Sequence, residues 1–214
     1  MSTCTPALHA RPALRRLAPL ATAPVQGIAG ALLLALLALP AMRTLLEASM
    51  WRHMVLQFGL LLLAGHLVAA PLPAGARTRL ARWNAHGISG LVLAALVLAV
   101  LMVPRVLDLA LREPAIEALK FTALVLAGAM LRLSWRPAGR VVQGFFLGNV
   151  LPMSFVVGQL YVDSPLRLCN AYLLGDQERL GHWLMGLAAV VAMAWVGRVF
   201  WDLARSEREA PPSA

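Results

Sequence analysis

Charge is scarce in this chain. Only 14% of its 214 residues are charged while 60% are hydrophobic, a balance far from that of an ordinary soluble domain. Lysine is almost missing: Lys120 stands alone beside 18 arginines among the 19 basic residues. Cysteine is nearly missing too. Cys4 lies in a Pro-rich N-terminal stretch and Cys169 in a late loop, on what the charge pattern below makes opposite faces of a membrane, so no structural disulfide is expected. The sequence has no His-Glu-x-x-His, no nucleophile beside a base and no phosphate-cradling glycine loop, which argues against an enzyme. Its arginines are not interleaved with aromatics, which argues against a nucleic-acid partner. No internal repeat is visible, and the inverted repeats with paired broken helices of many transporters are missing as well.

What remains is apolar sequence in long runs. A hydrocarbon core of ~30 Å needs ~20 apolar residues of helix, and six segments approach that length: 25–42, 53–70, 86–103, 115–133, 141–161 and 180–203. The expected fold class is therefore an all-α integral membrane protein, a bundle of six transmembrane helices embedded in a lipid bilayer. Residues 1–24 read as a basic, Pro-rich tail, 25–203 as the transmembrane domain and 204–214 as a charged tail. The first segment also has the outline of a signal peptide, but "LALPAM" lacks the small-x-small pattern of a cleavage site, so it is read as a helix.

Short cytoplasmic loops retain Arg and Lys. Twelve arginines fall on one side of the six segments, among them Arg77, Arg79, Arg82, Arg132, Arg136 and Arg140, and six on the other, among them Arg43, Arg52 and Arg112. Both termini are accordingly expected in the cytoplasm of a bacterial cell, with the chain multi-pass in the inner membrane. The second segment then starts at the outer face.

That start is chemically unusual. In "MWRHMVLQF", Met50, His53, Met54 and Gln57 are spaced i, i+3, i+4 and i+7, one stripe of a helix. Glu178, His182 and Met185 form a comparable stripe where the last helix begins. Thioether and imidazole donors together select copper(I), so Met50, His53, Met54, His182 and Met185 are candidate copper ligands, with Glu117 and Asp176 as weaker candidates. The structural alternative is that Met fills helix interfaces and a boundary His bonds a headgroup or loop. Glu117 and Lys120, one turn apart in the fourth segment, are costly in a membrane and should be paired or functional. The structural alternative for them is an ion pair with each other or with Arg112. Asp176 fits a helix N-terminus, where free N–H groups and the helix dipole favour a carboxylate. Gly181 suits a close helix contact. A di-haem carrier is disfavoured, because His53 and His66 are 13 apart, which at 100° per residue places them on nearly opposite faces.

"DSPLRLCNAYLLGDQERLGHWLMG" resembles the stretch leading into the last conserved helix of the CtaG family of integral-membrane cytochrome c oxidase assembly factors, with Asp176, Gln177, Gly181 and Met185 in the family's order. "RHMVLQF" resembles the family's His-Met-x-x-His, with Gln57 in place of the second His. "VPRVLDLALREP" and "WRP" resemble the segments around the family's next helices, where the family's helix-4 His is replaced by Glu117 and Lys120. The resemblance covers roughly residues 50–186. It implies a divergent family member that handles copper for maturation of an oxidase copper centre, with an oxidase subunit or a copper chaperone as partner. Two other functions fit the same residues: a small permease using the Glu117–Lys120 pair, and a scaffold subunit of a respiratory complex that binds no metal.

Overall fold

The computed structural model describes residues 22–209, and every regular element among them is helical. The parts of the expected tails at residues 1–21 and 210–214, Cys4 included, lie outside the described residues. In chain order the elements are α1 (Ala23–Ala38), α2 (Pro40–Glu47), a π-helical segment (Arg52–Gln57) running into α3 (Phe58–Val68), α4 (Ala74–Trp83), α5 (Ile88–Leu101), α6 (Pro104–Arg112), α7 (Pro114–Trp135), α8 (Gly139–Asp163) and α9 (Leu174–Glu209). By length and composition, α7, α8 and α9 can each cross a membrane unaided. Counting each of the bent pairs α1–α2 and α4–α5 as one span would raise the number to five, while Arg52–Val68 is apolar but shorter.

Proline explains where the helices depart from the expected segments. A residue before proline is pushed out of the helical region, and proline itself starts a helix well. Leu39 is accordingly extended (ψ 134°) and Pro40 begins α2, so the first apolar run turns through 74°. Val103 (ψ 121°) before Pro104 and Glu113 (ψ 110°) before Pro114 make the two joints that set off α6. Short helices α2 and α6 thus fold over one end of the long ones. The last helix extends beyond 180–203 at both ends, with Asp176 in its first turn, where the dipole favours a carboxylate.

Small residues set the packing. α3 lies between α1 and α7, and α8 packs along α9. A Cβ on Gly65 would collide with the Val125 carbonyl, and one on Gly128 with that of Leu62, so α3 and α7 touch backbone to backbone. Gly181 meets the Gly158 carbonyl in the same way between α9 and α8. At the basic end, Arg132 of α7 donates to Gln26 Oε1 of α1 (2.9 Å) and to the His66 carbonyl of α3 (3.3 Å). Arg140 of α8 pairs with Asp202 of α9 at 3.4 Å. These contacts gather at one end the helix termini that the charge pattern places on one side, and leave Glu47, His53, Lys120 and Tyr172 together at the other.

Candidate functional site

The site begins with the π-helical turn. π turns are rare and concentrate at functional positions; here the turn buries His53, Met54 and Gln57. Lys120, on α7, reaches the same place and is 1% exposed. Its ammonium lies 2.9 Å from His53 Nε2, 3.1 Å from Gln57 Oε1 and 3.2 Å from Glu47 Oε1. An ammonium has three protons to donate, and three acceptors receive them.

The remaining partners assign the histidine tautomer. Tyr172 donates its hydroxyl proton to the Glu47 carbonyl at 3.0 Å. Nδ1 of His53, 2.8 Å from that hydroxyl, must then be the donor, and Nε2 the acceptor from Lys120. Gln57 Nε2 donates to Glu47 Oε1 at 3.1 Å, which orients its amide. Glu117 pairs with Arg43 and lies 3.8 Å from Lys120. Two carboxylates thus face one guanidinium and one ammonium, and the node is neutral overall. Such balance is what allows charges to be buried.

A lid covers the node. Residues 164–173 cross this end of the bundle between α8 and α9, and Asp108 of α6 holds them, accepting from the backbone N–H groups of Asn170 (2.9 Å) and Ala171 (3.2 Å). Gln177, 2% exposed, accepts from Leu168 N and donates to the Tyr161 and Leu166 carbonyls. Ser49 donates to Asp176 at 3.2 Å. Burial, with the Glu47 carboxylate nearby, raises the Tyr172 phenol above its ordinary pKa. Burial, with Asp108 nearby, pushes the Cys169 thiol up to about 12.

The candidate copper ligands are distributed over different environments. Met50 and Met54 are buried beside His53. His182 is exposed, its Nδ1 2.9 Å from the Glu178 carbonyl, and lines an open cavity of about 740 Å³ with Arg179 and Trp183. Met185 is half-buried and faces Gly158 of α8. Trp183 stacks on Trp51 at 5.7 Å. Among the described residues no group of three or more His, Cys, Asp or Glu side chains is placed to hold a metal ion. Copper(I) would need a free imidazole nitrogen with thioethers turned toward it. As folded, both nitrogens of His53 are engaged and a buried ammonium sits against one of them, so this donor set does not fit the ion.

Glu117 and Lys120 do pair, as one of the sequence expectations had it, but the further partners are Arg43 and Glu47 rather than Arg112. Arg43 and Glu47 read in the sequence only as outer-side charges. A chemical signal existed for Glu47 alone: a membrane lysine needs three acceptors, more than Glu117 supplies, whereas nothing in the sequence singled out Arg43. Compared with protein-family models, curated proteins and solved structures, the chain shows no match.

Proposed function

We propose that this chain is a multi-pass bacterial inner-membrane protein with six spans and cytoplasmic termini, and that it acts without catalysis as an assembly factor for a respiratory oxidase. In this reading the outer end of the bundle is a rigid docking platform for an oxidase subunit during maturation. The observation that favours it is the node itself. Lys120 satisfies His53, Gln57 and Glu47 at once, and Tyr172 ties the lid to the same group. A neutral network in which Lys120, His53 and Gln57 are all hydrogen-bonded rigidifies a surface. The resemblance of the same stretches to oxidase assembly factors supplies the oxidase as partner.

Copper handling for the oxidase copper centre is the second reading. What favours it is the burial of two thioethers, Met50 and Met54, next to His53; it requires Lys120 to leave His53 Nε2. A permease built on Glu117 and Lys120 is less favoured, because both charges are consumed by internal partners.

The test is deletion of the gene followed by complementation. Loss of oxidase activity with the apo-subunits still synthesised, restored by the wild-type chain, supports the assembly reading; unchanged oxidase activity overturns it. Copper content after reductive loading with copper(I), compared with a His53→Ala, His182→Ala double variant, then separates the two forms. About one copper per chain, lost in the variant, favours copper handling, and none in either favours the platform.

A further inference from the structure

α4 has no place in the core. None of its residues is buried, Leu80 is 36% exposed and Trp83 84% exposed. Helical spacing nevertheless sorts its side chains. Ala76, Leu80 and Trp83 follow i, i+4, i+7 on one face, continued upstream by Leu72; Thr78 and Arg82 point away from that face, and Arg79 flanks it. An apolar stripe that the fold does not cover, on a helix whose other face carries arginine, is the pattern of a helix lying in a membrane interface. Its axis turns 81° from α5. With α5 along the bilayer normal, α4 runs nearly parallel to the surface, where its arginines avoid hydrocarbon. Gly87 makes this turn possible: its φ is +69°, and a Cβ there would strike the Ser134 carbonyl.

The side chains that gather beside α4 are arginines. Arg77 donates to the Ala70 carbonyl at 2.6 Å, and Arg132 to the His66 carbonyl one turn earlier. Both guanidiniums are thus drawn to the C-terminal end of α3. The charges of Arg77 and Arg136 both act on Arg132. Among the described residues the only acid paired with an arginine at this end is Asp202, and it is engaged by Arg140. Among the described residues, Arg77, Arg79, Arg82, Arg132 and Arg136 have no carboxylate within ion-pair distance. Each guanidinium has five N–H donors, and the carbonyls and Gln26 use only a few of them. A cluster of arginines with spare donors beside an interfacial helix is complementary to phosphate.

We propose that α4 lies in the membrane surface and that Arg77, Arg132 and Arg136 form a binding site for the phosphate headgroup of an anionic phospholipid. The Ala76–Leu80–Trp83 face rests on the acyl boundary and keeps the lipid beside the arginines. This site is at the opposite end from the Lys120 node and does not depend on the oxidase reading.

The full chain reconstituted in nanodiscs tests this, with phosphatidylcholine alone or with added phosphatidylglycerol. The reads are phosphatidylglycerol bound per chain and the thermal midpoint. Each arginine near an anionic surface contributes on the order of 1 kcal/mol, or about fivefold in binding. Arg136→Gln, which leaves the bonds of Arg77 and Arg132 in place, should weaken phosphatidylglycerol binding about fivefold. The triple variant with Arg77→Gln and Arg132→Gln should weaken it by roughly two orders of magnitude, and Arg105→Gln, exposed on the opposite side, should have no effect. Equal losses in Arg105→Gln and Arg136→Gln would show general charge attraction and overturn the site. Inorganic phosphate raising the midpoint as much as the lipid would overturn the lipid as its ligand. Nitroxide labels at Leu80→Cys and Thr78→Cys provide a second read: position 80 should be shielded from an aqueous relaxation agent and position 78, on the far face of the helix, accessible, and equal accessibility would overturn the interfacial placement.

Discussion

Lys120 Nζ lies 2.9 Å from Nε2 of His53, so the only lysine of the chain ends on the one histidine that, among the described residues, is buried in the bundle's core. This contact joins α7 to the π-helical turn, and through Tyr172 it joins both to the lid. Removing one member of a buried, hydrogen-bonded ion pair leaves the other uncompensated, at a cost of about 3–5 kcal/mol. Lys120→Met should therefore lower unfolding stability by about 3 kcal/mol, read from denaturant or thermal unfolding in detergent. Adding Glu47→Gln should recover about 1–3 kcal/mol of that loss through coupling between contacting residues. Strict additivity of the two changes would mean that the Lys120–Glu47 pair, 3.2 Å apart, contributes no coupling.

The lid predicts a local response. Asp108 accepts three hydrogen bonds from Asn170 and Ala171; without it, two backbone N–H groups lose their acceptor at about 1–3 kcal/mol. Asp108→Ala should accelerate hydrogen exchange at residues 168–173 while leaving α3 and α7 amides protected. Unchanged protection in the lid would show that Gln177 holds it alone.

Backbone contact between α3 and α7 leaves no space for a side chain. Gly65→Leu should destabilise by at least about 1–3 kcal/mol, the ordinary cost of overpacking, and broaden the gel-filtration peak. Gly59→Ala, on the exposed face of the same helix with nothing near its Cβ, should be neutral or stabilising by up to about 1 kcal/mol. Similar behaviour of the two variants would contradict the close approach at Gly65.

The thiol of Cys169 supplies a pH dependence. Its pKa is about 12 in the fold against an ordinary value of 9.0, so between these limits the unfolded chain ionises the thiol and the folded chain does not. The stabilisation is complete below about pH 9 and is lost as pH rises toward 12. In a Cys4→Ser background, maleimide should label Cys169 at neutral pH only after denaturation, since the thiolate is the reactive form and the side chain is 1% exposed. Cys169→Ser should flatten the fall of stability above pH 9 relative to the parent. Rapid labelling of the native chain would contradict this burial.

Composition and hydropathy by themselves determined that the chain is helical and built for a bilayer, because apolar runs of span length and the shortage of charge are local properties that no tertiary contact alters. The breaks before Pro40 and Pro104 are local as well, since proline acts on the residue just before it, although the expected segment 25–42 ran through Pro40 and Pro152 sits inside α8 without ending it. The stripe of Met50, His53, Met54 and Gln57 was visible for the same reason: its members are neighbours on one turn. Only the tertiary structure decided what the stripe meets. Glu47 is 73 residues from Lys120, Arg43 is 74 from Glu117 and Tyr172 is 119 from His53, and no periodicity relates such positions. The 74° turn at Pro40 carries Arg43 and Glu47 over the end of α7, and a buried ammonium takes whatever acceptors the fold places around it. A His and Met pattern that suggests metal chemistry in the sequence is, in the fold, a histidine with a lysine on one nitrogen and a tyrosine on the other.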